Sequence, residues 1–177
     1  MKTTKTALSF VLVVALLLSL GSSAFAAEAQ FQNTRDFVRE VSALDGFTCE
    51  VDEITTDATG LRYESVWLTY AGGEFSDYKS RLFILFSEDT SDVEFRMYNL
   101  IRFDAEDFDA VLSKVNEINA QGTGVKLYVD ASDNTVTAEL YLLTTEASFL
   151  DIAAVGLGFM LSYTDSAYEQ LESYNIA

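Results

Sequence analysis

Histidine is absent and cysteine occurs once, at Cys49. The side chains left to do chemistry are carboxylates, amides, hydroxyls and aromatic rings. That composition excludes Ser-His-Asp and Cys-His nucleophilic machinery, imidazole general bases and the usual zinc ligand sets. Asp104, Glu106, Asp107 and Asp109 form an acidic group, and paired carboxylates can hydrolyse glycosides. These four, however, open a helical pattern and scatter around it. Acids at a helix start suit its dipole, and they are read that way. Asp130, Ser132, Asp133 and Asn134 hint at a calcium loop. The EF-hand pattern requires Gly at its sixth position and Glu at its twelfth. Thr135 and Tyr141 stand there instead, so a polar hairpin turn is the better reading. No metal, no cofactor and no catalytic residue is expected, and the chain is not read as an enzyme.

What remains is recognition chemistry. Tyr63, Trp67 and Tyr70 lie close together in one apolar stretch. They are candidates for an aromatic partner-binding face, against the simpler reading of cross-strand packing. Asn116 and Asn119 are three residues apart in a helical pattern and share one side of it. They are candidates for gripping a partner backbone. The simpler reading is that they tie the helix end to the next strand, because Asn bonds readily to nearby backbone. Cys49 alternates into a strand and is read as a small apolar residue, with an intermolecular bridge as the other option.

The elements that must position these residues follow from periodicity. Asn33 is the expected cap of a helix whose apolar face is Phe37, Val38, Val41 and Leu44, stopped at Gly46. Phe47, Cys49 and Val51 then alternate as a half-buried strand. Asp57 to Gly60 is a turn, Leu61 to Tyr70 a second strand, and Gly72-Gly73 a break. Leu82 to Phe86 is uninterrupted apolar sequence, which suggests a central strand covered on both faces. Val93, Phe95 and Met97 alternate as a fourth strand. Asp104 caps a second helix marked by Phe108, Val111, Leu112, Val115 and Ile118. Two further strands follow, Val125 to Val129 and Val136 to Leu142. The last helix runs from about Glu146 to Leu171 and is apolar nearly all round in its first half. Another helix or another subunit must cover what one sheet face cannot. Gly156 and Gly158 allow it to pack closely.

The order is α-β-β-β-β-α-β-β-α. Strand runs separated by single helices argue an α+β fold: an antiparallel sheet of about five to six strands with helices on one face.

Lys2 and Lys5 precede an apolar run from Ala7 to Leu20. Gly21, Ser22 and Ser23 then lead to Ala24 and Ala26. That is signal-peptide order, and the run is too short to span a membrane. Residues 1–26 are read as a signal peptide cleaved after Ala26, with Ala29 as the second choice. Residues 27–33 are read as a short mobile lead-in and 34–177 as one domain. The protein is expected to be secreted or otherwise extracytoplasmic, with no stable membrane insertion after cleavage. The 177-residue chain carries a formal charge of −17. Nucleic acid is excluded as a partner because it requires a cationic footprint. A charge of this sign biases the chain toward cationic partners.

The second half resembles the YbjN family of bacterial proteins. The residues that carry this are Val115, Asn116, Glu117, Ile118 and Asn119, similar to the family's Ile-Asn-x-Trp-Asn element, with Ile118 where tryptophan is usual. Tyr128-Val129-Asp130, an Asp133-Asn134 turn, the strand from Val136 and a closing apolar helix follow in the family's order. The resemblance spans residues 34 to 172. It implies a type III secretion chaperone-like fold and a role as regulator or helper of other proteins, with no catalytic residues to carry over. Structural relatives bind protein segments along their sheets and often dimerise. The expected function is therefore that of a non-enzymatic module docking a protein or peptide, possible as a homodimer. A small-ligand carrier with an apolar cavity and a carboxylate-based hydrolase are the alternatives.

Overall fold

The computed structural model describes residues 29–70, 81–88, 92–122 and 124–176. The expected signal peptide and the Gly72-Gly73 break lie outside them. Helix α1 spans Gln32–Ser42 and buries Thr34, Phe37, Val38 and Val41, one stripe at helical spacing. Gly46, at φ +84°, turns the chain into the first strand, a conformation that glycine adopts without strain. The strands are β1 (Phe47–Val51), β2 (Thr55–Thr56), β3 (Arg62–Tyr70), β4 (Arg81–Ser87) and β5 (Val93–Arg102). A 3-10 turn over Ala105–Asp107 leads into α2 (Phe108–Asn119); Asp104, the expected cap of this helix, precedes the 3-10 turn and makes no side-chain cap bond, and Asp107 holds the cap position of α2. Strands β6 (Lys126–Asp130) and β7 (Thr135–Leu142) precede α3 (Phe149–Leu171).

All strand pairs are antiparallel, in the order β1-β3-β4-β5-β7-β6, with the two-residue β2 also paired to β3. The fold is α+β with helices on one sheet face, as the alternation implies. Among the described residues, β2 is the strand added to the expected six. Val66, Leu68, Leu82, Ile84, Phe86, Val93, Phe95, Met97 and Ala138 share that face and form the core with the helices. Phe37 of α1 meets the Phe86 and Phe95 rings at 5.2 and 6.4 Å. Helix α3 crosses very near the sheet at Gly156, where a Cβ would lie 2.4 Å from Leu142 Cδ1 and 3.1 Å from Phe95 Cε2.

Several expectations need correction. Ala29 and Phe31 are buried, and α1 begins at Gln32 with Phe31 in the cap position. Asn33 therefore lies inside the helix. The capping charge comes from β3: the Glu64 carboxylate, 1 % exposed, accepts the amides of Gln30 (2.6 Å) and Phe31 (2.9 Å). An acid beside a helix N-terminus is favoured there. Strand β4 is central, but it is not covered equally on both sides. Leu82, Ile84 and Phe86 are buried under helices, whereas Phe83 and Leu85 are half-buried on the opposite face. Helix α3 buries Ala153, Gly156, Leu157, Met160, Leu161, Thr164, Ala167 and Leu171. Val155 and Phe159 point outward and remain exposed.

Candidate functional site

Strand alternation sends every second side chain away from the helices. On that side, among the described residues, no helix or strand covers the sheet. Its middle row runs across six strands by pairing register: Glu50, Trp67, Phe83, Arg96, Glu139 and Lys126. The next row carries Ser65, Leu85, Glu94 and Tyr141. The centre is aromatic. The Trp67 and Phe83 rings pack edge to face at 4.9 Å, and Tyr98 lies 6.2 and 6.0 Å from them.

Alternation along β5 puts Tyr98 on this face with Glu94 and Arg96, and β5 becomes irregular just beyond it. Its pairing with β7 jumps between Met97 and Ile101, and Asn99 within that interval has φ 55°. Within and past the irregularity the consecutive Leu100 and Ile101 are both buried, while Asn99 is exposed and Tyr98 stays 40 % exposed. Bulges of this kind re-aim side chains and gather near functional sites.

The polar atoms of the aromatic residues are anchored. Trp67 Nε1 donates to Asp52 Oδ2 at 2.7 Å, and the Tyr141 hydroxyl donates to Asp92 Oδ2 at 2.8 Å. The Tyr63 hydroxyl donates to Asp57 Oδ2 at 3.2 Å. Arg81 lies over Trp67, 4.7 Å from the ring centroid, and pairs with Glu50 at 2.6 Å. Arg96 Nε bridges Glu94 and Glu139, and Arg96 Nη1 donates to the Tyr98 hydroxyl at 3.3 Å.

The Glu94 carboxyl titrates above its ordinary range. Burial is the first cause, and the charge of Glu139 adds to it against the attraction of Arg96. Arg96 is itself held more firmly protonated, despite burial, by the Tyr98 hydroxyl and Glu94. Both partners shift upward because one guanidinium serves two acids, and the more buried acid bears the desolvation. The Tyr141 phenol is pushed up to about 12, first by its bond to Asp92.

The structure brings Tyr63 and Trp67 together on this face and separates them from the other candidates. Tyr70 falls on the helix side by alternation and stacks on Phe47 at 4.6 Å. Asn119 is tied to β6: its side-chain amide accepts Leu127 N and donates to Leu127 O, both at 2.9 Å. Because β6 is an outer strand, Asn119 occupies backbone groups that face away from β7. Asn116, three residues earlier, is exposed on α2. Asp130 Oδ1 accepts the Ser132 amide and hydroxyl, and Asp133 Oδ1 accepts the Thr135 hydroxyl, giving a hydrogen-bonded hairpin turn. The Cys49 thiol is free, half-buried, and pushed up by burial. Among the described residues no three Cys, Asp or Glu side chains converge as a metal site.

Phe83, Leu85, Tyr98, Tyr141, Arg81 and Arg96 complete the face and were not among the sequence candidates. Parity relative to Trp67 finds Phe83 and Leu85 once the strands are placed in register. The same parity along β5, counted from Arg96 opposite Phe83, finds Tyr98.

A family model matches residues 52–172, from just after β1 to just past α3. The chain belongs to the YbjN family. That family is described as "Putative bacterial sensory transduction regulator". No curated protein matches the chain. The YbjN match covers the helix-free faces of β3, β4, β5, β6 and β7 and leaves α1 and β1 outside it. Its description is one of regulation and not of a reaction. The helix-free face presents aromatic rings and ion pairs.

Proposed function

We propose that this YbjN-family chain is an exported, non-enzymatic regulatory or chaperone-like module that docks a partner protein on the helix-free face of its sheet. The observation that carries the reading is the cluster of Trp67, Phe83 and Tyr98, set beside Arg81 and Arg96 on an otherwise uncovered sheet. Trp, Tyr and Arg are the residues that dominate binding energy at protein interfaces. Rings held by hydrogen bonds at their polar atoms lose little freedom on binding, which lowers the cost of association. Export is supported by the order of residues in 1–26, a positive start, a short apolar run and small residues.

The test is photo-crosslinking in cells that make the full chain, with benzoylphenylalanine replacing Tyr98 in one strain and Phe159 in another. The reading expects a discrete protein adduct from position 98, outside the cytoplasm, and none from position 159. No adduct from position 98, or the same adduct from both positions, contradicts it.

A further inference from the structure

We infer that the partner segment seated on the sheet face is basic, an extended stretch bearing arginine or lysine. This rests on the docking reading and adds the chemistry of the partner to it.

The argument begins with where the charges of the face are spent. Arg81 is paired with Glu50, Arg96 with Glu94 and Glu139, and Lys126 Nζ donates to the Asn119 carbonyl at 3.2 Å. The cations of the face are therefore already committed. Three acids around the face are not matched in the same way. Asp52, Asp57 and Asp92 accept bonds from Trp67, Tyr63 and Tyr141, and no ion pair reaches them among the described residues. Each of these acids thus sits at the polar atom of an aromatic ring. The Tyr63 phenol is pushed up by burial and then by Asp57, and the Tyr141 phenol first by its bond to Asp92.

An aromatic face beside carboxylates that are hydrogen-bonded but answered by no cation among the described residues is complementary to a cation with a planar or alkyl stem. The molecule already contains the contact that a partner would make: the Arg81 guanidinium rests 4.7 Å above Trp67 with its charge answered by Glu50. A second copy of this chain is the wrong occupant, since each copy brings a formal charge of −17 and like fields repel on approach. A basic segment gains from that same field, both in rate of encounter and in register. An extended segment of about ten residues spans roughly 33 Å. That is enough to run from the Tyr141 corner to Trp67, three strand spacings or about 14 Å away.

Trp67 is the only tryptophan, so its fluorescence reports occupancy of this face directly. The probes are peptides of about ten residues alternating serine with arginine, glutamate or leucine. The arginine peptide is expected to give a saturable Trp67 response that weakens as salt rises, and the glutamate peptide none. Asp92→Asn and Tyr141→Ser, both at the exposed corner, are expected to weaken that response by about tenfold, whereas Glu169→Gln on α3 leaves it unchanged. Two variants are used so that misfolding of one does not decide the matter. Equal weakening by Glu169→Gln would show only bulk attraction to an acidic protein and overturns the inference. A response to the leucine peptide in place of the arginine peptide overturns it too, while leaving the docking face standing. No response to any probe, with the position 98 crosslink still present, overturns the basic segment alone.

Discussion

Tyr141 and Asp92 show how the face sets its rings. The phenol is about half exposed, yet its proton is held to about 12 by the bond to Asp92, then by burial and the Asp92 charge. An unfolded tyrosine titrates near 10. The folded value is the higher one, so the stabilising contribution is complete below about pH 10 and is lost as pH rises through about 12. Asp92→Asn is expected to return the Tyr141 titration toward 10, read by NMR of ring-labelled tyrosine. An unmoved titration contradicts the assigned cause. Glu64 makes the opposite use of a carboxylate, since it is buried and accepts two backbone amides. Glu64→Ala strands the buried Phe31 amide and frees the partly buried Gln30 amide, and is expected to cost about 2 kcal/mol in chemical denaturation; a cost near zero contradicts the clamp. Neither role is legible in sequence. Alternation puts Glu64 on the buried side with Val66 and Leu68, but the amides that satisfy it come from 33 and 34 residues earlier. Alternation also separates Tyr70 from Tyr63 and Trp67, a distinction lost when the three are grouped by their aromatic character alone.

Elements were legible wherever one period ran unbroken. The alternations in β1, β5 and β7 and the apolar stripes of α1 and α2 appear at their expected places. What periodicity does not contain is how elements meet. The close approach of α3 to the sheet depends on Gly156 facing Leu142 and Phe95, which the glycine suggested but whose partners it did not name. The bulge around Asn99 left no composition signal, and it is what buries the consecutive Leu100 and Ile101. Asn119 belongs to this scale as well. It joins α2 to β6 and occupies the outward backbone groups of Leu127. An outer strand with free backbone groups is a template for further pairing. Asn119→Ala is expected to cost about 1 to 2 kcal/mol and to increase self-association in light scattering. A variant that is destabilised yet stays dispersed would leave Asn119 as a tie between elements without the role of guarding the edge.

At the scale of the whole molecule, the three α-helices among the described residues gather on one side and leave the other to rings and ion pairs. Glu50, Trp67, Phe83, Arg96, Glu139 and Lys126 come from strands far apart in sequence, and the pairing register alone makes them one row. Outward-facing Val155 and Phe159 on α3 belong to the opposite layer, and so provide the internal control for any claim about the sheet. Hydroxyl-radical footprinting compares the two layers in one sample, with the chain purified alone and in the extracytoplasmic extract of the cells that make it. The account predicts that Trp67, Tyr98 and Tyr141 become protected in the extract while Phe159 is oxidised equally in both. Unchanged oxidation at all three sheet residues, or protection confined to Phe159, would contradict the sheet face as the docking surface.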